Sequence, residues 1–376
     1  MTRTIEELIP EYIRGLPVYV PGKPIEEVER ELKIHAIKLA SNENPLGPSP
    51  KGMEAARAVL NDSNRYPDGG TLRLREKIAA MHEVSPDEIF IGLGSSEIID
   101  VVARVLLGPG RIGLTSEGTY APFSTAIRAS GAALECVPMC GFKFDLQEMA
   151  HASTNATRVI YLANPNNPTG TAFGAEEFER FLSHVASDTL VVLDEAYIHY
   201  AERNDMPQSV KLFRERKNLL ILRTFSKVYG MAGIRIGYGI GQVPLVAAMN
   251  KLRTPFNVSG MAQAAALAAL DDHEHVERCV GANRAERKRI IDEVAKLGLL
   301  PVKSETNFVF VEAGPEAKAI CEELLREGVI VRPLGWMGFP EAIRISVGTA
   351  EENQKLFEAL GRVLAKRKGK PELASR

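Results

Sequence analysis

Four short apolar runs constrain this chain more than anything else in it: EIFIGLGSSE (88–97), RVIYLANPNNPTG (158–170), TLVVLDEAY (189–197) and NLLILRTFSK (218–227). Each is apolar without alternation and rich in β-branched residues or leucine, as a strand buried on both faces of a parallel sheet must be. Each then breaks off into polar or glycine-rich sequence. Helical patterns such as GAEEFERFLSHVAS (174–187) separate them. Strand–helix alternation of this kind specifies an α/β fold. Ligands in such sheets bind beyond the carboxyl ends of the strands. Here those ends carry the serines, asparagine, aspartate and lysine, so the active site is expected there.

Beyond about residue 260 the character changes. MAQAAALAAL and HVERCVGANRAERKRIIDEVAKLG read as long helices, followed by strands at NFVFVEA and AIRISVG around a helix at EAKAICEELLREG. The first fifty residues, rich in proline and charge, read as an arm with a short strand near Ile37–Ala40. The expected division is an arm over 1–45, a large domain over 46–260 and a small α+β domain over 261–376. That suits 376 residues, too many for one simple core. A formal charge of −2 gives no electrostatic case for nucleic acid or an acidic membrane, and the basic tail at Lys366, Arg367, Lys368 and Lys370 reads as a solvated end. Cys136, Cys140, Cys279 and Cys321 are too few for a disulfide framework and wrongly spaced for zinc. No run approaches ~18 apolar residues and the opening ten lack a signal-type stretch, so a cytoplasmic enzyme is expected.

The residues at the strand ends suggest specific chemistry. Lys227 follows a strand, with Thr224 and Ser226 before it and Arg235 eight residues after. Burial beside other cations lowers a lysine pKa, and the neutral amine then attacks an aldehyde. Hydroxyls and a guanidinium suit a phosphate. Taken singly, such a lysine is most simply a surface residue. Its T-x-x-K spacing also faintly matches serine-lysine hydrolases, with threonine in place of their serine. Asp194 and Tyr197 end another strand: a carboxylate facing a pyridine nitrogen keeps it protonated, and a phenol donates to a neighbouring oxygen. A turn or helix-cap role is the plainer reading of Asp194. ANPNNPTG presents Asn167 on a rigid turn. GLGSSE offers Ser95, Ser96 and backbone N–H groups to an anion at a helix start. Tyr120 suits stacking on a flat ring or a place in the core. GYGIGQ lacks dinucleotide-loop spacing. His273 and His275, two apart, read as a solvated helix start.

NPNNPTG, DEAY, and SK followed eight residues later by arginine resemble the class I/II aminotransferases of the fold-type I pyridoxal-phosphate enzymes. More narrowly, SNENPLGPSP, RYPDGG, RTFSKVYGMAGIRIGYG and RISVGT look like histidinol-phosphate aminotransferases, a resemblance running from Tyr19 to Thr349. It implies a large, mostly parallel seven-stranded sheet domain plus a smaller α+β C-terminal domain, and pyridoxal 5'-phosphate as cofactor. Lys227 is then the Schiff-base lysine and the base that moves the substrate proton. Asp194 pairs with the pyridine nitrogen, Asn167 and Tyr197 hold the phenolate oxygen, and Tyr120 stacks on the ring. Ser95, Ser96, Thr224, Ser226 and Arg235 hold the phosphate, joined by Tyr66 from the partner subunit of a homodimer. Tyr19, Asn44, Arg332 and Arg344 face the substrates, a small-molecule amino donor and a 2-oxo acid, with L-histidinol phosphate and 2-oxoglutarate the expected pair. An aromatic amino-acid aminotransferase, or a decarboxylase of amino-acid phosphates, shares most of these residues. A non-catalytic regulator of this fold would need an appended DNA-binding domain or a lost lysine, and the sequence has neither.

Overall fold

Residues 4–18 and 22–368 are described by the computed structural model. The arm contributes β1 (Ile37–Lys38). The central sheet is built from β2 (Ile89–Gly92), β3 (Ile112–Ser116), β4 (Ala133–Val137), β5 (Thr157–Ala163), β6 (Leu190–Asp194), β7 (Leu219–Thr224) and β8 (Gly237–Ile240). Its order is β2-β8-β7-β6-β5-β3-β4, with β8 antiparallel to both neighbours and the β7-to-β4 pairs parallel. Each of the four apolar runs supplies one strand. Their side chains are buried on both faces because helices cover the sheet on each side. Three further strands escape the reading: β3 and β4, which are shorter in apolar content, and β8, whose sequence GYGI is half glycine; β4 keeps Glu135 exposed at the sheet edge.

A second sheet, β9 (Leu300–Pro301), β10 (Phe308–Glu312), β12 (Arg332–Pro333) and β13 (Ala342–Ser346), is antiparallel and packs on the helices Ala317–Arg326 and Ala350–Lys368. The arm belongs physically with this unit: β1 pairs in parallel with β11 (Val329–Ile330), and Val28, Ala36, Ala40 and Ile330 form one small cluster. The helix His273–Lys296 runs from one core to the other: Cys279 lies in the first, Ile290 and Val294 in the second. Two expectations about solvated charge are corrected. His275 is buried with a ring nitrogen 3.4 Å from the Cys279 sulfur, because positions four apart share the inward face of that helix. Arg367 is not a free end; it pairs with Glu316 and Glu323 and ties the last helix to Ala317–Arg326.

The lysine loop packs directly on the segment that follows the arm. Gly230 sits at φ +67°, and a β-carbon there would lie 2.1 Å from the Gly47 carbonyl oxygen and 2.8 Å from Pro48 Cα. Both obstacles are backbone, so neither can swing aside. Gly230→Ala is expected to destabilise the fold by ~2–4 kcal/mol, read as a lowered denaturation midpoint. An unchanged midpoint would show that the lysine loop and the Gly47–Pro48 segment are not packed as described.

Candidate active site

Because β5, β6 and β7 are neighbours in register, with Ala163 opposite Asp194 and Asp194 opposite Leu222, motifs far apart in sequence end side by side. Adjacent strands lie ~4.8 Å apart, so the asparagine turn, Asp194 to Tyr197, and Thr224 to Lys227 share one edge. On the far side of β8, β2 ends at Gly92, and Gly94 (φ +88°) opens the helix Ser95–Leu106 with no side-chain cap on its first N–H groups. A cavity of about 220 Å³ lies over this edge. Ser95, Ser96, Tyr120, Asn167, Asp194, Tyr197, Thr224, Ser226, Lys227, Arg235, Arg332 and Arg344 all line it.

The charges in the cavity adjust one another. Burial pushes the Lys227 ammonium down to about 8, helped by the Arg344 guanidinium and opposed by the carboxylates of Glu43 and Asp194. Asp194 is 4% exposed, and burial pushes its carboxyl up to about 6 against hydrogen bonds from the Ala196 N–H (3.0 Å) and Ser95. Near neutral pH the lysine is therefore partly neutral and the aspartate mostly ionised. Burial raises the Tyr197 phenol to about 12, so it keeps its proton. Arg344, 7% exposed, donates to Asn167 Oδ1 and to the Ala40 carbonyl (2.8 Å), and lies over the Phe308 ring. With Oδ1 taken, the Asn167 amide N–H is the group left to face a ligand.

The other end is a cradle for an anion. Thr224 Oγ1 donates to Ser226 Oγ (3.0 Å) and accepts from the Ser226 N–H (3.1 Å). Ser96 and Tyr120 share a hydrogen bond of 2.8 Å. Arg235, itself at φ +60°, donates to the Leu93 (2.8 Å) and Ala232 (3.0 Å) carbonyls, which holds its guanidinium against Gly94 at the helix start. Hydroxyls, open N–H groups and a guanidinium together suit a phosphate monoester. The donor set as a whole fits pyridoxal phosphate: the cradle for its phosphate, Asp194 for a cationic ring nitrogen, Tyr197 and Asn167 for the ring oxygen, and Lys227 for the aldehyde.

Two sequence expectations fall outside the cavity. Asn44 is turned away: its amide donates to the Val228 carbonyl (2.8 Å) and the Cys279 sulfur (3.1 Å), on the far side of the lysine loop. The residues of SNEN that line the cavity are Ser41 and Asn42, the latter two positions before Asn44. Tyr66 is 83% exposed and stacks on Phe256 at the surface, 4.6 Å between ring centroids. Tyr19 lies outside the described residues. The sequence reading also missed Trp336, whose ring lies against the Arg332 guanidinium (4.9 Å) in the cavity wall. Its one available signal was position, four residues past Arg332 in RPLGW.

Residues 34–360 match the family described as "Aminotransferase class I and II". The chain is 45% identical over 356 residues to "Histidinol-phosphate aminotransferase 2" of Pseudomonas aeruginosa, covering 94% of this chain and 96% of that one. It is 44% identical to a histidinol-phosphate aminotransferase of Anaeromyxobacter, covering 95% and 99%. Among solved structures, the histidinol-phosphate aminotransferase of Sinorhizobium meliloti in complex with pyridoxal-5'-phosphate superposes with a TM-score of 0.88 at 32% identity, covering 96% of this chain and 98% of that one. An aspartate aminotransferase of Thermus thermophilus, at 23% identity and a TM-score of 0.81, shares the fold.

Asp194 makes a measurable linkage. A carboxyl whose folded pKa of about 6 exceeds its ordinary 3.8 takes up protons on folding between those values. Stability therefore falls as pH rises through that window, and the cost is fully present above about 6. In protein stripped of small molecules, Asp194→Asn is expected to raise stability at pH 7 by ~1–3 kcal/mol, with the gain vanishing near pH 4. Denaturant titrations at the two pH values check this. A variant less stable at pH 7 would mean that the carboxylate is held by more than burial costs it.

Proposed function

This chain belongs to the aminotransferase class I and II family, and on that premise we propose that it transaminates L-histidinol phosphate with 2-oxoglutarate, giving imidazole acetol phosphate and glutamate. One observation carries the proposal: a buried lysine amine of lowered pKa shares a cavity with Asp194 on one side and with two buried arginines, Arg332 and Arg344, on the other. The first half of that arrangement suits any transaminase. The second suits substrates that carry an anion next to the reacting carbon, whether a carboxylate or a phosphate ester.

Bound pyridoxal phosphate supplies an aldehyde for the lysine and a protonated ring that takes up the electron pair left by the substrate's Cα proton. Lys227 is the nucleophile toward that aldehyde. With the cofactor bound, the Lys227 amine would serve as the base that takes the substrate's Cα proton and returns it to the cofactor's C4′ carbon. Asp194, ionised above about 6, holds the ring nitrogen in its cationic form; a cation against it favours its ionised state further. Tyr197 and the Asn167 amide would donate to the ring oxygen, and Tyr120 would stack on the ring. Ser95, Ser96, Thr224, Ser226 and Arg235 hold the cofactor phosphate. Arg344 binds the 2-oxo acid's α-carboxylate through its planar fork, while Arg332, backed by Trp336, adds the second charge that a phosphate dianion needs. Phenylalanine needs one carboxylate site only, and this favours the phosphate substrate.

Two further parts belong to the proposal. The working unit is a homodimer in which Tyr66 serves the cofactor phosphate of the neighbouring copy. The exposure of Tyr66 and its exposed stacking partner Phe256 support this. A cytoplasmic location suits four cysteines that are all free thiols, two of them exposed.

Borohydride reduction of the cofactor-loaded protein is expected to fix the label on Lys227, with L-histidinol phosphate then bleaching the visible band of unreduced enzyme at a kcat/KM well above that for phenylalanine. Arg332→Ala is expected to lose at least ~tenfold on the phosphate substrate, ~1.4 kcal/mol, and less on phenylalanine. A label on another lysine refutes the site; faster conversion of phenylalanine or tyrosine assigns the enzyme to aromatic amino acids instead. For the dimer, mixing inactive Tyr66→Phe and Lys227→Ala subunits is expected to restore activity, because hybrids contain one site free of both substitutions. A fully active monomer in sedimentation would rule this arrangement out.

A further inference from the structure

Every polar atom of Asn42 is engaged, and the partners fix the direction of each bond. Its N–H donates to Ser346 Oγ at 2.8 Å. That serine's own hydrogen then has one place to go, Asn42 Oδ1 at 3.0 Å. With the oxygen end of the amide committed to Ser346, the nitrogen end faces Tyr197 and donates to its hydroxyl oxygen at 3.1 Å. A hydroxyl that accepts at that position must send its own hydrogen elsewhere, and Tyr197 lines the cavity. Meanwhile the Asn42 carbonyl accepts from Lys227 Nζ at 3.2 Å and from Asn307 Nδ2 at 3.1 Å. The residue is 2% exposed and sits at φ +55°, a conformation that asparagine tolerates better than most side chains.

We infer that Asn42 is a positioning residue for the reaction: through Ser346 behind it, it sets Tyr197 as a hydrogen-bond donor into the cavity, and its carbonyl holds the Lys227 amine in place. The inference rests on the cofactor reading above. A merely structural asparagine would hold the loop at residues 39–44 in shape. A positioning asparagine also sets how strongly Tyr197 donates to the cofactor's ring oxygen. That donation draws electron density from the oxygen and weakens its hold on the proton of the neighbouring lysine nitrogen.

The test is a pH titration of the visible band of the pyridoxal-phosphate-loaded protein. Asn42→Gly keeps the backbone carbonyl and the left-handed conformation while removing the amide. It is expected to move the titration upward by ~0.5–1 unit, the worth of about one neutral hydrogen bond. Ser346→Ala, which frees the amide to turn, is expected to move it the same way by less, and carries the test if the glycine variant folds poorly. The other charges facing Lys227, those of Asp194, Glu43, Arg344 and Arg235, are untouched in both. In a Tyr197→Phe background, Asn42→Gly is expected to add no further shift, because its route of action is gone. Unshifted titrations, or a shift of equal size with and without the Tyr197 hydroxyl, would overturn the inference while leaving the cofactor site standing. A native protein that develops no band with pyridoxal phosphate would overturn both.

Discussion

A lysine amine loses part of its charge near pH 7 only where water is kept from it, and keeping water away makes every other charge nearby costly as well. Lys227 and Asp194 show the two sides of this. Burial depresses one pKa and raises the other, and each partly relieves its neighbour. Neither group would be tolerated in a cavity that had no use for it, since replacing buried charge with apolar groups is commonly neutral or stabilising. The surrounding structure follows from that need. Helices cover both faces of the sheet, the arm is laid over the lysine loop, and Arg344 is tied to Asn167 and to the Ala40 carbonyl so that its charge is held at a fixed place.

The large sheet was legible in the sequence because four of its strands are buried on both faces, which leaves an apolar run with no alternation. The site was legible for a related reason. Groups that meet a ligand at strand ends sit immediately after those runs, so the end of the apolar pattern marks them. Asn44 was misread because SNEN has no apolar run to locate it. In an arm whose shape comes from docking, which of two asparagines faces inward is decided by β1 pairing with β11 and by Ser346, some 300 residues away. Trp336 was missed for the same reason, since it stands on a short turn whose place is set by packing. His275 and Arg367 were read as solvated because charge and imidazole favour water in isolation. Cys279 on one helix face, and Glu316 with Glu323 on a facing helix, reverse that preference.

The arm is chemically part of one unit and functionally part of another. Its strand and its small apolar cluster belong with the second sheet, yet the loop that follows contributes to the cavity over the first. Strand β13 reaches this loop at three points: Arg344 to Ala40, the Ser346 N–H to the Leu39 carbonyl, and Ser346 Oγ to Asn42. The residues proposed to bind the substrate's anion are therefore tied through β13 to those that orient the amine.

The antiparallel strand of the large sheet, β8, has a consequence for how the molecule is made. β2 joins the sheet only through β8, pairing residues 89–92 with 237–240. The helix start at Ser95, which forms the anion cradle, hangs from β2. During synthesis that early segment has no edge to join until the chain past residue 240 has emerged, whereas β3 to β7 pair as they appear. Such a long-range closure is slow relative to local pairing. The cradle is thus the last part of the large sheet to be assembled, and an interrupted chain ending before β8 would expose the unpaired edge of β7 to other chains.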